Sequence, residues 1–316
     1  MNLSTSSPSD ETPNLRIGTR GSPLALAQAH ELRRRLAAAQ GCPETAFAIC
    51  IIKTTGDAIQ DRPLSQAGGK GLFTKELDLA LIRGEIDLAV HSAKDLPTIL
   101  PEEICILGYL PREDVRDAWI SRKAAQPQTL PAGSVVGTAS LRRAALLKRL
   151  RPDVGVTLLR GNVATRLAKV ESGEVDATLL ANAGLKRLGL AHRATSLLEP
   201  EVFVPAVGQG AIAISARRED AKVAAVLNPI LDAATGTCLR TERAYLRVLD
   251  GSCRTPIGGY AQLIEGELQL RAVILRPDGS QFFETCRKGL AQEAESLGET
   301  AARELIARAP ADFFKD

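Results

Sequence analysis

Leu15-Arg16-Ile17 is a short strand-like run, Gly18-Thr19-Arg20-Gly21-Ser22-Pro23 follows it, and a helical period of apolar residues then covers 24–39. The order is strand, turn, helix. Ser22 stands where a helix N-cap is wanted, and Pro23 falls in the first turn, where a missing N–H costs no hydrogen bond. The pattern recurs downstream: 47–53 reads as a strand, 75–83 as a helix and 86–91 as another strand. A second round opens at Ser134-Val135-Val136-Gly137 and runs through a helix at 141–150, a strand at 156–159, a helix at 163–171 and a strand at 176–180. Such alternation predicts an α/β fold. Residues 124–131, rich in Pro and Gln, read as a loop, with the crossing between rounds there or earlier, near 110–117.

After Gly208-Gln209-Gly210 come a strand at 211–215 and a helix ending near Leu231. From Cys238 the texture changes. A helix through Arg247 leads to Gly251-Ser252-Cys253, and 260–263, 267–275 and 281–286 read as antiparallel strands, with Pro277-Asp278-Gly279 as the turn between the last two. An amphipathic helix at 293–307 covers one face, which predicts a small α+β third domain.

Composition narrows the function classes. The 316 residues exceed one ordinary core and fit two or three domains. With 45% hydrophobic and 24% charged residues and no long apolar run, the chain reads as a soluble protein without a membrane partner. A net charge of +3 and 3% aromatic residues argue against a nucleic-acid partner. Residues 1–14, rich in Ser, Thr and Pro, read as a disordered tail rather than an export signal. The six cysteines are scattered without a Cys-x-x-Cys pair, so reduced thiols in the cytoplasm are expected.

Arginine outnumbers lysine, 29 to 11. A genome that favours Arg codons explains the ratio as well as function does, so position decides. Thr138-Ala139-Ser140-Leu141-Arg142-Arg143 and Leu159-Arg160-Gly161-Asn162-Val163-Ala164-Thr165-Arg166 both lie at strand-to-helix junctions, and Thr19-Arg20 lies at the matching junction of the first round. Free N–H groups and the positive helix end attract anions there, and guanidinium forks suit carboxylates. An anion-lined cleft between two domains is therefore preferred to solvated helix-start arginines.

Other motifs are weaker. Gly68-Gly69-Lys70-Gly71 lacks the earlier Gly and the following Ser or Thr of a phosphate loop, and the glycines of Gly208-Gln209-Gly210 precede a strand instead of following one, unlike a dinucleotide turn. His30, His91 and His192 show no metal-ligand spacing, so no metal is expected, and nothing completes a hydrolase triad beside His91-Ser92. In Val90-His91-Ser92-Ala93-Lys94-Asp95-Leu96-Pro97 a buried-looking strand ends in Ser, Lys and Asp, at the place where α/β domains carry reactive groups. Taken alone, that segment also reads as a structural turn built on Asp and Pro.

Nine ordered motifs from Arg16 to Gly259 together resemble the porphobilinogen deaminases: residues 16–29, 68–78, 90–97, 112–119, 137–143, 159–167, 183–190, 205–211, and Glu242-Arg243 with Gly251-Ser252-Cys253-Arg254-Thr255-Pro256-Ile257-Gly258. The resemblance implies two α/β domains built like those of solute-binding proteins plus a small α+β third domain. Their expected extents are 1–112 with 208–228, 113–207, and 229–316. It implies stepwise head-to-tail condensation of four porphobilinogen molecules onto a covalent dipyrromethane, with loss of ammonia at each step, then hydrolysis to hydroxymethylbilane.

By the same resemblance Cys253 is the cofactor attachment thiol and Asp95 the catalytic acid/base. Arg20, Ser22, Arg142, Arg143, Arg160, Arg166 and Arg187 bind acetate and propionate groups, and Ser92, Lys94, Thr138, Ser140 and Gln209 support them. The stretch between Asp57 and Gly68 resembles a lid, with Lys70 and Phe73 at its active-site edge. Ala139 departs from the pattern, since many members carry a hydroxyl residue there, and puts one hydrogen bond to a cofactor carboxylate in question. A monomer acting on porphobilinogen is expected. The alternative is a two-domain solute-binding or effector-sensing protein, which predicts an export signal or a DNA-binding partner domain and leaves the Cys253 loop without a purpose. A nicotinamide-dependent oxidoreductase stands third.

Overall fold

The computed structural model describes residues 15–58, 71–249 and 256–314. Its first round follows the expected order. β1 (Leu15–Thr19) leads into α1 (Pro23–Gln40), whose first turn is capped by the Ser22 hydroxyl accepting the Ala25 N–H at 3.3 Å. β2 (Phe47–Ile51), α2 (Thr55–Ala58), α3 (Lys75–Ile82), β3 (Leu88–Ser92) and β4 (Ile104–Tyr109) follow. β1 pairs in parallel with both β2 and β3.

The second round has the same plan. β5 (Asp117–Ser121) precedes β6 (Val135–Gly137), α4 (Leu141–Leu150), β7 (Gly155–Thr157), α5 (Val163–Glu171), β8 (Ala177–Ala181), α6 (Asn182–Arg187) and β9 (Ser196–Leu198). β6 pairs in parallel with β7 and β8, while β5 runs antiparallel between β8 and β9. The chain then returns to the first sheet as β10 (Ile212–Arg217), antiparallel between β3 and β4.

The two sheets, ordered β2-β1-β3-β10-β4 and β7-β6-β8-β5-β9, therefore match position for position. In each, the antiparallel fourth strand sits next to a crossing: residues 110–116 lead out to β5, and the segment after β9 leads back to β10. The crossing is the earlier of the two sites expected, and 124–131 lies inside the second round, where Ala124 accepts the indole N–H of the fully buried Trp119 at 3.0 Å. β4, β5 and the short β9 were not anticipated.

α7 (Ala221–Leu227) packs with the first sheet, and α8 (Ala233–Val248) starts the third unit, followed by β11 (Ile257–Ile264), β12 (Glu267–Leu275), β13 (Phe282–Leu290) and α9 (Ala294–Arg308). The three strands form an antiparallel meander. β11 begins earlier and β13 ends later than the sequence suggested. β13 alternates exposed and half-buried residues, so charged Glu284, Arg287 and Lys288 mask its strand character. α9 lies close on α8 because Gly298 has no side chain: a Cβ there would stand 2.2 Å from the Thr241 carbonyl oxygen.

The third unit touches both others. Val273 and Leu275 of β12 share a core with Trp119, Val136 and Leu146 of the second unit. Its own core, around Leu239, Tyr245, Leu270 and Leu305, takes in Ala93 and Leu96 of the first. Burial of such aliphatic side chains stabilises by roughly 1.5–3 kcal/mol each, so the joints are part of the fold. At the crossings, Glu242 of α8 is fully buried: it accepts from Arg112 Nη1 at 2.6 Å and Nη2 at 3.1 Å, from the Gly208 N–H at 2.7 Å and from the Ala261 N–H at 2.8 Å.

Candidate active site

The carboxyl ends of the parallel strands carry the residues singled out from the sequence. β1 delivers Arg20 and Ser22, β3 delivers Ser92, Lys94 and Asp95, β6 delivers Thr138 and Ser140, and Arg160 follows β7. Ser22 caps α1, Ser140 caps α4 by accepting the Arg143 N–H at 3.4 Å, and Asn162 caps α5 by accepting the Thr165 N–H at 2.9 Å. Three helix starts thus supply positive backbone ends beside the arginines. Thr138 Oγ1 accepts the Ser140 N–H at 3.2 Å and shapes the α4 turn.

A cavity of about 400 Å³, counted out to its open mouth, is lined by Arg20, Ser22, Phe73, Ser92, Asp95 and Gln28, among others. Arg20 stacks its guanidinium on Phe73, 4.1 Å from the ring centre, and the Gln28 amide nitrogen lies 2.9 Å from Ser92 Oγ. His91, behind Ser92, is buried with Nε2 2.9 Å from Ser215 Oγ. Burial, aided by the Arg20 charge, lowers its pKa to about 4, so its ring is neutral.

Lys94 and Asp95 lie in a single 3₁₀ turn, Ala93–Asp95, directly after β3. Both are open to solvent, while Ala93 and Leu96 on either side are 5% exposed. Gly208 (φ 77°) passes so close that a Cβ there would lie 2.9 Å from the Ala93 carbonyl carbon and the Lys94 nitrogen; only glycine allows the approach.

Surrounding protein, then Arg143 and Arg142, lowers the Lys94 pKa to about 8, against the opposing pull of Asp95 and Asp117. Arg166 is lowered to about 10 by burial and by the charges of Arg143 and Arg160, again opposed by Asp95. Arg143 therefore acts on both Lys94 and Arg166, Arg160 acts on Arg166, and Asp95 is the carboxylate that both Lys94 and Arg166 feel.

Asp117, not singled out from the sequence, lies under this group. It is fully buried, with Oδ1 accepting from Arg143 Nε at 2.9 Å, Nη2 at 2.6 Å and Gln209 Nε2 at 3.1 Å. Oδ2 lies 2.8 Å from Arg142 Nη1, an ion-pair contact outside hydrogen-bond geometry. Burial opposes ionisation, but the Arg142 and Arg143 charges hold the carboxyl far below the usual range. Arg142 also donates to the Val204 carbonyl at 2.7 Å, and Arg143 to the Leu179 carbonyl at 2.8 Å. The two arginines are thus buried and already share a carboxylate of the chain itself.

Gln209 sits behind this network, its amide bonded to the Val115 carbonyl at 2.8 Å. Arg187 turns its donors to Glu31 Oε2 and the Gly210 carbonyl, both at 3.1 Å, and so ties α6 to α1. Lys70 and Cys253, residues 1–14, and all but the start of the stretch between Asp57 and Gly68 read as a lid lie outside the described residues. Sequence reasoning missed Gln28, Asp117, Arg112 and the buried role of Glu242. The visible signal was charge inside an apolar context, as in Asp117-Ala118-Trp119-Ile120.

Residues 15–225 match the family model described as "Porphobilinogen deaminase, dipyromethane cofactor binding domain", and residues 236–307 the one described as "Porphobilinogen deaminase, C-terminal domain". A porphobilinogen deaminase of Nitrobacter hamburgensis is 57% identical over 298 residues, 94% of each chain. One from Paracoccus denitrificans is 53% identical over 310 residues, 98% of this chain and 99% of its own. Among solved structures, a periplasmic substrate-binding protein of an ABC transporter from Coxiella burnetii aligns over 76% of this chain and 98% of its own, at 13% identity and a TM-score of 0.44. The curated likeness spans the third unit, which a plain solute-binding protein would leave unexplained. With family models matching all three units and more than half of all positions shared with full-length relatives, the chain belongs to the porphobilinogen deaminase family.

Proposed function

We propose that the chain condenses four porphobilinogen molecules head to tail onto a dipyrromethane held through Cys253, releases one ammonia at each step, and hydrolyses the finished tetrapyrrole as hydroxymethylbilane, the work of a transferase in porphyrin and heme formation. The observation that carries the reading is Asp95 in the turn after β3, lining the cavity with Arg20 and within electrostatic reach of Lys94 and Arg166.

The residues present suit a dipyrromethane with its acidic side chains. Lys94 and Arg166 are pushed down by the surrounding protein and then by the Arg143 charge, so an added anion would favour their charged forms, and Arg142 Nε is buried without a hydrogen-bond partner among the described residues. Held through Cys253, the dipyrromethane supplies the pyrrole carbon at which the chain grows. Arg20, Arg143, Arg160 and Arg166 hold acetate and propionate groups, with Lys94 as a further cation. Arg142, Thr138, Ser140 and Gln209 keep that frame rigid, Ser22 and Ser92 offer hydroxyls to the substrate, Arg187 serves from the α1–α6 joint, and Phe73 and Lys70 border the space.

Asp95 keeps the leaving amine of porphobilinogen protonated. Its carboxylate then faces the cation developing on the substrate methylene carbon and takes up the proton released when the new carbon–carbon bond forms. We divide the chain into domains at 1–112 with 208–228, 113–207 and 229–316, and place it in the cytoplasm as a monomer without a nucleic-acid partner. Among the described residues no helix is long and apolar enough to cross a membrane.

The test is the intact mass of active protein. An increment matching one dipyrromethane, absent in Cys253→Ser, is expected, together with release of ammonia and hydroxymethylbilane from porphobilinogen. An unmodified mass in active protein contradicts the reading.

A further inference from the structure

The turn that carries Asp95 is held from two sides. At its start the Ala93 N–H donates to the Ala211 carbonyl at 3.0 Å, next to β10. Past its end, Arg243 Nη2 donates to the carbonyls of Pro97 at 2.9 Å and Thr98 at 3.1 Å. Arg243 belongs to α8 of the third unit, whereas the turn belongs to the first. Between these two anchors Ala93 and Leu96 are buried in the third unit's core, so solvent-open Lys94 and Asp95 stand on a backbone gripped by another unit.

Arg243 is half-buried, and burial lowers its pKa, opposed by Tyr109. An arginine remains charged under such a shift. Its stem lies among protein while its head serves two backbone carbonyls that no strand pairs. Cys253 follows in sequence only five residues after the end of α8.

We propose that Arg243 is a positioning residue for the reaction. It fixes the Asp95 turn to α8 of the third unit, so that the proton-transfer group keeps one position as the chain grows. This rests on the assignment of proton transfer to Asp95.

The test compares Arg243→Met, which keeps the apolar stem, with Arg243→Lys, whose ammonium can reach a carbonyl, and with Asp95→Asn, each loaded with dipyrromethane and checked by intact mass. In Arg243→Met, kcat for chain extension is expected to fall about tenfold or more, as small misplacements of a reacting group do. KM for porphobilinogen should stay within about twofold. Arg243→Lys should recover part of kcat. Amide hydrogen exchange should quicken at 93–98 in Arg243→Met and stay at the wild-type rate in β11 and β12. Wild-type kcat in Arg243→Met, or a loss in which exchange quickens throughout the third unit and lysine recovers nothing, overturns the proposal. Normal extension by loaded Asp95→Asn would instead remove the assignment beneath it, whereas an inactive Asp95→Asn beside a fully active Arg243→Met would fault Arg243 alone.

Discussion

Asp117 Oδ1 and Arg143 Nη2 lie 2.6 Å apart with both side chains buried, and Arg142 reaches the other oxygen of the same carboxylate at 2.8 Å. A single strand-start acid therefore anchors two helix-start arginines of the second unit beneath the reaction space. Removing its charge leaves two buried cations without their partner, and breaking buried pairs of this kind costs about 3–5 kcal/mol. Asp117→Asn should lower the unfolding free energy by that order in denaturant titration. A loss below about 1 kcal/mol would mean that solvent or another group compensates the pair.

Lys94 supplies a pH dependence. With its pKa lowered to about 8, it loses its charge as pH rises through that value, and with it part of its hold on substrate carboxylates. The alkaline fall in kcat/KM should thus centre near pH 8. In Lys94→Arg, which keeps its charge far above that pH, the fall should move upward by at least about one unit. A limb unmoved in Lys94→Arg would exclude Lys94 as its source.

The sequence already displayed the strand-turn-helix unit at β1 and α1, because Ser22, Pro23 and the apolar period all agree locally. It displayed the 277–279 turn and the third-unit helices for the same reason. β5 was harder to see: Arg116 and Asp117 precede three apolar residues in a short run, and its place between β8 and β9 depends on partners 56 to 81 residues away. The site was legible in the strand-end residues Asp95, Arg20 and Arg160, but not in how each is held. Asp117 meets Arg143 across 26 residues, and Arg112 meets Glu242 across 130, pairings that no local pattern encodes.

Arg160 and Arg166 test the cationic wall. Replacing either with Leu removes charge-assisted bonds of ~1.5–3 kcal/mol to the carboxylates of the growing chain. Protein-bound intermediates of one particular length should then accumulate in a mass ladder during turnover. A wild-type distribution in both variants would show that these arginines do not hold the growing chain.

His91 governs acid stability. Its folded pKa of about 4 lies below the ordinary 6.5, so the unfolded chain takes up a proton first as pH falls, and stability is lost between about 6.5 and 4. Asp78, raised by burial to about 6, acts with the opposite sign over much of that range, so the difference between wild type and variant is the readable quantity. His91→Gln should flatten that pH-dependent loss, by an amount on the order of 3 kcal/mol across the window. Equal slopes in wild type and variant would contradict a neutral buried ring.

Asp95 stands beside Lys94 in a turn flanked by buried Ala93 and Leu96, within electrostatic reach of Lys94 and Arg166, and the account of catalysis depends on its proton. Asp95→Asn keeps its size and removes both the charge and the exchangeable carboxyl proton. The direct measurement is single-turnover extension with porphobilinogen on Asp95→Asn protein whose dipyrromethane content has been verified by mass, since unloaded protein would be silent for another reason. The account predicts a rate at least ~10²-fold below wild type, with partial activity in Asp95→Glu and unchanged thermal unfolding. Extension by loaded Asp95→Asn near the wild-type rate would contradict it and leave Asp95 as a turn residue.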